Sequence, residues 1–145
     1  MMRYTIYDGK KETVSIEKEI DFLKNYIDLH TIRHFDKLDV TFDIDTNEPK
    51  LKIAPLLLIN LLENAFKHGA ETLDKDAFIH LNISTNKNII TFTIKNNFED
   101  RQDSKGIGLE NLKRRLQLLY PNAHDFNTSI HNSIFRADLS LYLNQ

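Results

Sequence analysis

The sequence predicts an α+β domain, a two-layer sandwich with helices packed on one face of a mixed, largely antiparallel sheet. Three observations predict it. Segments with helical apolar spacing and segments with period-two alternation follow one another in the order α-β-α-β-β-α-β-β. The length of 145 residues suits one domain, able to bury about two-thirds of the surface its unfolded chain exposes. No repeat and no low-complexity linker divides it.

Residues 1–12 carry Tyr4, Ile6 and Tyr7 before a turn-like Asp8-Gly9, and read as the tail of an upstream element; the domain proper is expected over 13–145. Ser15 is a good N-cap, with Glu17 and Glu19 in the first turn, and Ile16, Ile20, Leu23 and Ile27 mark one helical face to about His34. Leu38, Val40, Phe42 and Ile44 alternate with polar residues as in a half-buried strand. Pro55 suits the first turn of a second helix, expected from Pro55 to His68 with Gly69 as its stop. Strands are expected near Phe78–Ser84 and Ile89–Asn96. A third helix spans about Gly108–Tyr120 on the spacing Leu109, Leu112, Leu116, Leu119, and ends at Pro121. Thr128–Ile130 and Ile134–Tyr142 alternate as a closing hairpin. With helices on one face, the other face of the sheet must be polar or otherwise covered.

Composition excludes several function classes. A net charge of −2 gives no electrostatic reason to expect nucleic acid or an anionic membrane surface as a partner. The chain has no cysteine, hence no disulfide and no thiolate chemistry, which suits a reducing cytoplasm. The apolar run Ile53–Leu62 contains Pro55 and Asn60 and is too short to span a bilayer, and the amino end has no signal-peptide pattern.

Two segments carry chemistry. On a helical wheel, Leu58, Leu61, Leu62, Ala65 and Phe66 share an apolar arc, while Asn60, Asn64 and Lys67 lie within about 60° of one another on the other side. Asn is a poor helix former, so two of them in a Leu-rich helix cost local stability. One reading is a solvated polar face. The sharper one is that the Asn64 side-chain carbonyl ligates Mg²⁺, a hard cation that takes oxygen donors, with Lys67 meeting phosphate as a point charge. His68 either joins the phosphate contacts or pairs with the helix dipole, and Glu63, at the edge of the polar face, either acts as a base or orients a water, or is a solvated Glu. The second segment is Gly106-Ile107-Gly108 before the helix that begins at Leu109, where N–H groups can converge on an anion at a helix N-terminus. Lys105 and the run Lys113-Arg114-Arg115 add positive charge nearby, although that run reads mainly as a solvated helix face.

With these residues in place, the sequence resembles the catalytic ATP-binding domain of LytS-type sensor histidine kinases, within the GHKL (Bergerat) ATP-binding fold. The resemblance is carried by Glu17-Lys18-Glu19-Ile20, Tyr26-Ile27 and Arg33; by Pro55-Leu56-Leu57-Leu58 and Leu62-Glu63-Asn64-Ala65-Phe66-Lys67-His68-Gly69; and by Gly106-Ile107-Gly108-Leu109-Glu110-Asn111 with Arg115-Leu116. It covers residues 13–145. It implies ATP and Mg²⁺ as ligands, Asn64 as the metal-binding Asn, Lys67 as a phosphate contact, and Gly106 to Leu109 as the second glycine box. Asn60 stands where water-using ATPase relatives have a Glu base. An amide cannot deprotonate water, so phosphoryl transfer to a protein side chain is favoured over hydrolysis.

The first glycine box departs from the family pattern. Its stretch is Ile94-Lys95-Asn96-Asn97-Phe98-Glu99, with no glycine, and Asn96 stands where an Asp accepts from the adenine amino group. That departure supports an alternative reading, a degenerate interaction module of the same fold that works without nucleotide. The family's Asn-Pro-His-Phe-like phosphoacceptor stretch is not found. His30, His34, His80, His124 and His131 read as structural or surface residues. The expectation is therefore the catalytic fragment of a membrane sensor kinase, acting in the cytoplasm. Its partners would be an upstream phosphoacceptor domain of the same kinase, a homodimer when full length, and a response regulator.

Overall fold

The computed structural model describes residues 13–32, 38–99 and 109–143. A two-residue strand, β1 (Val14–Ser15), leads into α1 (Ile16–Thr31), whose N-cap Ser15 accepts a hydrogen bond from the Lys18 N–H at 3.4 Å. Then come β2 (Leu38–Asp45), β3 (Lys52–Ile53), α2 (Ile59–His68) and a single 3₁₀ turn (Ala70–Thr72). The chain continues through β4 (Ala77–Asn86), β5 (Ile89–Asn97), α3 (Glu110–Leu119), β6 (His124–His131) and β7 (Ile134–Tyr142).

The five long strands form one mixed sheet in the order β2-β4-β5-β7-β6. β2 runs parallel to β4, and the other three pairings are antiparallel. Two tight turns close the hairpins. Lys87 and Asn88 join β4 to β5, and Asn132 and Ser133 join β6 to β7, all four with positive φ, as the right-handed twist of a two-residue hairpin requires. β1 and β3 pair separately as a small ribbon that the sequence pattern does not suggest. The inward side chains Ile79, Leu81 and Ile83 of β4 and Ile90, Phe92 and Ile94 of β5 meet Ile16, Leu23, Leu61, Leu62, Phe66 and Leu116 of the helices in a single buried core. The opposite face is polar, carrying Thr91, Thr93, Lys95, Arg136, Asp138 and Ser140.

Two expectations need correction. Pro55 does not open the second helix; α2 begins at Ile59, four residues later. Residues 55–58 form a turn in which Leu56 has φ +60°, a left-handed conformation that costs a leucine about 1–2 kcal/mol. What holds that turn belongs to the site. The last hairpin is also longer than expected, because β6 runs from His124 rather than Thr128. It is an edge strand, exposed along most of its length, so burial leaves no alternation to read in its sequence. The predicted Arg33, His34, Lys105, Gly106, Ile107 and Gly108, and the amino-terminal segment 1–12, lie outside the described residues.

Candidate functional site

α2 brings Asn60, Glu63, Asn64, Lys67 and His68 together around one cavity of about 410 Å³, closed on the other side by Tyr26 of α1 and Glu71 of the 3₁₀ turn. Asn60, Asn64 and Lys67 are the residues the helical wheel places on one face, so the spacing i, i+4, i+7 is sufficient to find them. Asn64 is 7 % exposed and sits at the boundary between cavity and core, whereas Lys67 and Glu63 are exposed at the rim. Lys67 and His68 occupy the last turn of α2, where the Lys67 ammonium also meets the negative end of the helix dipole. Among the described residues, no group of three or more His, Cys, Asp or Glu side chains is placed to hold a metal without further ligands.

Asn96 and Leu109 sit differently. Asn96 is 2 % exposed and packs behind the C-terminus of α2. Its Nδ2 donates to the Asn97 carbonyl at 3.0 Å, and its buried Oδ1 has no hydrogen-bond partner among the described residues. Gly69 makes this packing possible: a Cβ there would lie 2.2 Å from Asn96 Nδ2 and 2.4 Å from the Ala65 carbonyl oxygen. Leu109 caps α3, and its side chain is in the core, which leaves its backbone as the part open to a ligand.

Sequence reasoning misses Tyr26 as a site residue, although its place in the Tyr-Ile motif is a signal. Its ring stacks on His30 with centroids 4.0 Å apart and meets Phe66 edge-on at 5.5 Å. Burial, with the nearby carboxylates of Glu63 and Glu71, pushes its hydroxyl up to about 12, so it stays protonated and able to donate.

A second cavity of about 410 Å³ adjoins the first through the shared residues Tyr26, Asn60 and Glu63, and is walled by Phe22, Leu56, Ile59, Asn111 and Arg115. Its floor is the turn before α2, and the polar backbone groups there are met by side chains from elsewhere. The Ala54 N–H donates to the Tyr120 hydroxyl at 2.9 Å, and the Leu56 N–H to Glu19 Oε2 at 3.0 Å. The carbonyls of Pro55 and Leu56 accept from Arg115 Nη2 and Nη1 at 2.9 and 3.2 Å. Pro55 has no N–H to satisfy, so every N–H from 54 to 56 is accounted for. Arg115 is thus bound to the turn, which corrects its reading as a solvated surface residue. Glu19 is 1 % exposed, three residues after Ile16 and four before Leu23. A carboxylate inside an apolar helical stripe is the signal that could reveal it.

Comparison with known proteins finds similarity to histidine kinases in sequence and in fold. The sequence model for histidine kinases matches residues 1–38. The sensor protein LytS of Staphylococcus haemolyticus is 27 % identical over 133 residues, covering 81 % of this chain and 23 % of that protein. The chain spans a similarly small share of the other sensor kinases it matches. In fold, it superposes on the nucleotide-free catalytic domain of histidine kinase ThkA with a TM-score of 0.61 at 14 % identity, covering 90 % of this chain and 94 % of that domain. It superposes equally on full-length ShkA in complex with AMPPNP, TM-score 0.61 at 15 % identity, over 88 % of this chain and 30 % of ShkA. No helix among the described residues is long and apolar enough to cross a membrane. In sequence the chain is similar to LytS-type sensor histidine kinases, and in fold to histidine kinase catalytic domains.

Proposed function

We propose that this domain binds Mg·ATP and holds it for transfer of the γ-phosphate to a histidine on an upstream phosphoacceptor domain. One observation carries the reading: Asn60, Asn64, Lys67 and His68 of a single helix surround a single cavity. The donor set fits the ligand. An Asn amide oxygen is the hard, neutral donor that Mg²⁺ accepts alongside phosphate oxygens and water, and the Lys67 ammonium beside it suits a polyphosphate. The buried, unpartnered Oδ1 of Asn96 is an acceptor suited to an adenine amino group. The neighbour that holds AMPPNP supports the same ligand class.

In this reading Asn64 ligates Mg²⁺, Lys67 and His68 contact phosphate, and Asn96 reads the base. Glu63 and Asn60 border the reacting end, where Asn60, an amide, orients groups without acting as a base. Gly106, Ile107, Gly108 and the Leu109 backbone supply N–H groups to the phosphates. Bound Mg²⁺ would neutralise charge on the phosphate oxygens. In the same reading residues 1–12 are the remnant of the upstream phosphoacceptor region; the histidine kinase match runs across that boundary, over residues 1–38. The full protein is proposed to be a homodimeric membrane sensor with this domain in the cytoplasm, passing its phosphoryl group to a response regulator.

Thermal unfolding with and without Mg·ATP, repeated for Asn64→Ala, tests the ligand. Nucleotide at 100 times its Kd adds about 2.7 kcal/mol, which raises Tm by several degrees. The shift is expected to need Mg²⁺ and to vanish in the variant. No shift at millimolar nucleotide would remove ATP from the cavity and leave the nucleotide-independent module.

A further inference from the structure

α3 follows the Gly106-Ile107-Gly108 segment in sequence, and α2 carries the Asn face; one side chain joins the two helices. From the middle of α3, Arg115 spreads its guanidinium across consecutive carbonyls of the turn before α2, those of Pro55 and Leu56, at 2.9 and 3.2 Å. The Leu56 carbonyl is shared, because Asn60 Nδ2 also donates to it at 3.4 Å. On the other side of the same residue, Glu19 of α1 takes the Leu56 N–H. Leu56 therefore sits in a left-handed conformation between a carboxylate and a guanidinium, and Asn60 hangs from its carbonyl.

We infer that Arg115 is a positioning residue for Asn60, acting through the Leu56 carbonyl, with Glu19 bracing the turn from behind. The planar fork of the guanidinium is what suits Arg to this role. Two of its N–H groups reach two adjacent carbonyls at once, which a lysine ammonium, with one point of charge, does not reproduce. The bond from Asn60 is long, so the amide gains little from it alone. Its orientation depends on the carbonyl being fixed in place, and Arg115 fixes it. Both residues line the second cavity, and Asn60 also lines the first, so the arrangement links α3 to the side chain proposed for the reacting end. In a nucleotide-bound state, a shift of α3 would be felt at Asn60.

The inference rests on the nucleotide reading only for its second test. The first uses the protein without ligand. In ¹⁵N-labelled protein, the side-chain amide pair of Asn60 is assigned by its loss in Asn60→Ser, and Arg115→Lys is compared with wild type. The Asn60 pair is expected to shift or broaden while that of Asn96 stays in place. An unmoved Asn60 pair would overturn the inference whatever nucleotide does. The second test measures Mg·ATP affinity for wild type, Arg115→Lys, Asn60→Ala and the double variant. Arg115→Lys is expected to weaken binding on the order of tenfold, and by less than about twofold in the Asn60→Ala background. Equal losses in both backgrounds would make Arg115 a direct phosphate ligand instead. If wild type bound no Mg·ATP, the nucleotide reading would fall and the amide shifts alone would decide. Should Arg115→Lys unfold, Arg115→Gln, which keeps a donor without charge, replaces it in both tests.

Discussion

Asn96 and Asn97 are consecutive residues at the end of one strand, and they face opposite sides of the sheet. Asn97 points outward and is fully used: its Oδ1 accepts from the Phe78 N–H at 2.9 Å, and its Nδ2 donates to the Asp76 carbonyl at 2.8 Å. Asn96 points inward, behind α2, and its Oδ1 has no partner among the described residues. The same contrast runs along the two faces. Outside, Asp138 accepts from Thr93 Oγ1 at 2.9 Å and from both Nε and Nη2 of Arg136 at 2.9 and 3.1 Å. Polar groups there satisfy one another and hold the sheet. Inside, the polar groups of the turn before α2 are met by side chains, and Asn96 Oδ1, behind α2, is left as an unused acceptor, which is what a ligand site needs.

The inner arrangement breaks most severely at Gly69. Its φ of −118° is open to any residue, so the requirement is space rather than backbone freedom. Gly69→Ala puts a methyl group 2.4 Å from the Ala65 carbonyl oxygen and 2.2 Å from Asn96 Nδ2. We expect a loss of about 3 kcal/mol, read from the urea midpoint. Adding Asn96→Ala should restore only part of it, because the clash with the backbone oxygen remains. Full restoration would mean that Asn96 alone demands the glycine.

The neighbouring asparagines separate ligand from scaffold. Asn96→Ala removes a buried acceptor that nothing among the described residues uses together with the Nδ2 bond to the Asn97 carbonyl; the two effects oppose, so stability should change by under about 1 kcal/mol. Its ATP affinity should fall about tenfold, while affinity for inorganic triphosphate stays within about twofold. Asn97→Ala should do the reverse. It strips partners from the Phe78 N–H and the Asp76 carbonyl and costs about 1–2 kcal/mol, with ATP affinity nearly unchanged. Calorimetric titration beside thermal unfolding reads both. Equal loss of ATP and triphosphate in Asn96→Ala would take Asn96 out of the base site.

What is legible in the sequence follows the same division. Alternation reveals β2, β4, β5 and β7, because each has one face more buried than the other. It fails for β6, which buries little. The Asn face of α2 is legible because its polar and apolar positions separate at 3.6 residues per turn. The start of α2 is not. Pro55 followed by three leucines favours a helix locally, and the turn wins through bonds from Glu19 and Arg115, 37 and 60 residues away in sequence. Long-range hydrogen bonds of this kind leave no periodic trace. The family pattern is what proposes Asn96 for the base site, but its unpartnered oxygen is a property of packing, which spacing cannot reveal.

The smallest effect belongs to the outer face, and pH isolates it. The hydrogen bonds from Arg136 hold the Asp138 carboxyl below its ordinary 3.8; partial burial opposes them, and Thr93 assists. The unfolded chain therefore takes up a proton at a higher pH than the folded one. Between the two values unfolding binds a proton, so this contribution to stability is complete above 3.8 and is lost as pH falls through the folded value. Arg136 is about half exposed, so Arg136→Ala should cost under about 1 kcal/mol at neutral pH. The gap in Tm between variant and wild type should then close as Asp138 becomes protonated. A gap that persists in strong acid would mean that Arg136 stabilises β7 by packing its aliphatic stem across the strand rather than by pairing. The outer face would then resemble the inner one, with contacts rather than paired charges holding it, and the contrast drawn from Asn96 and Asn97 would be confined to those two residues.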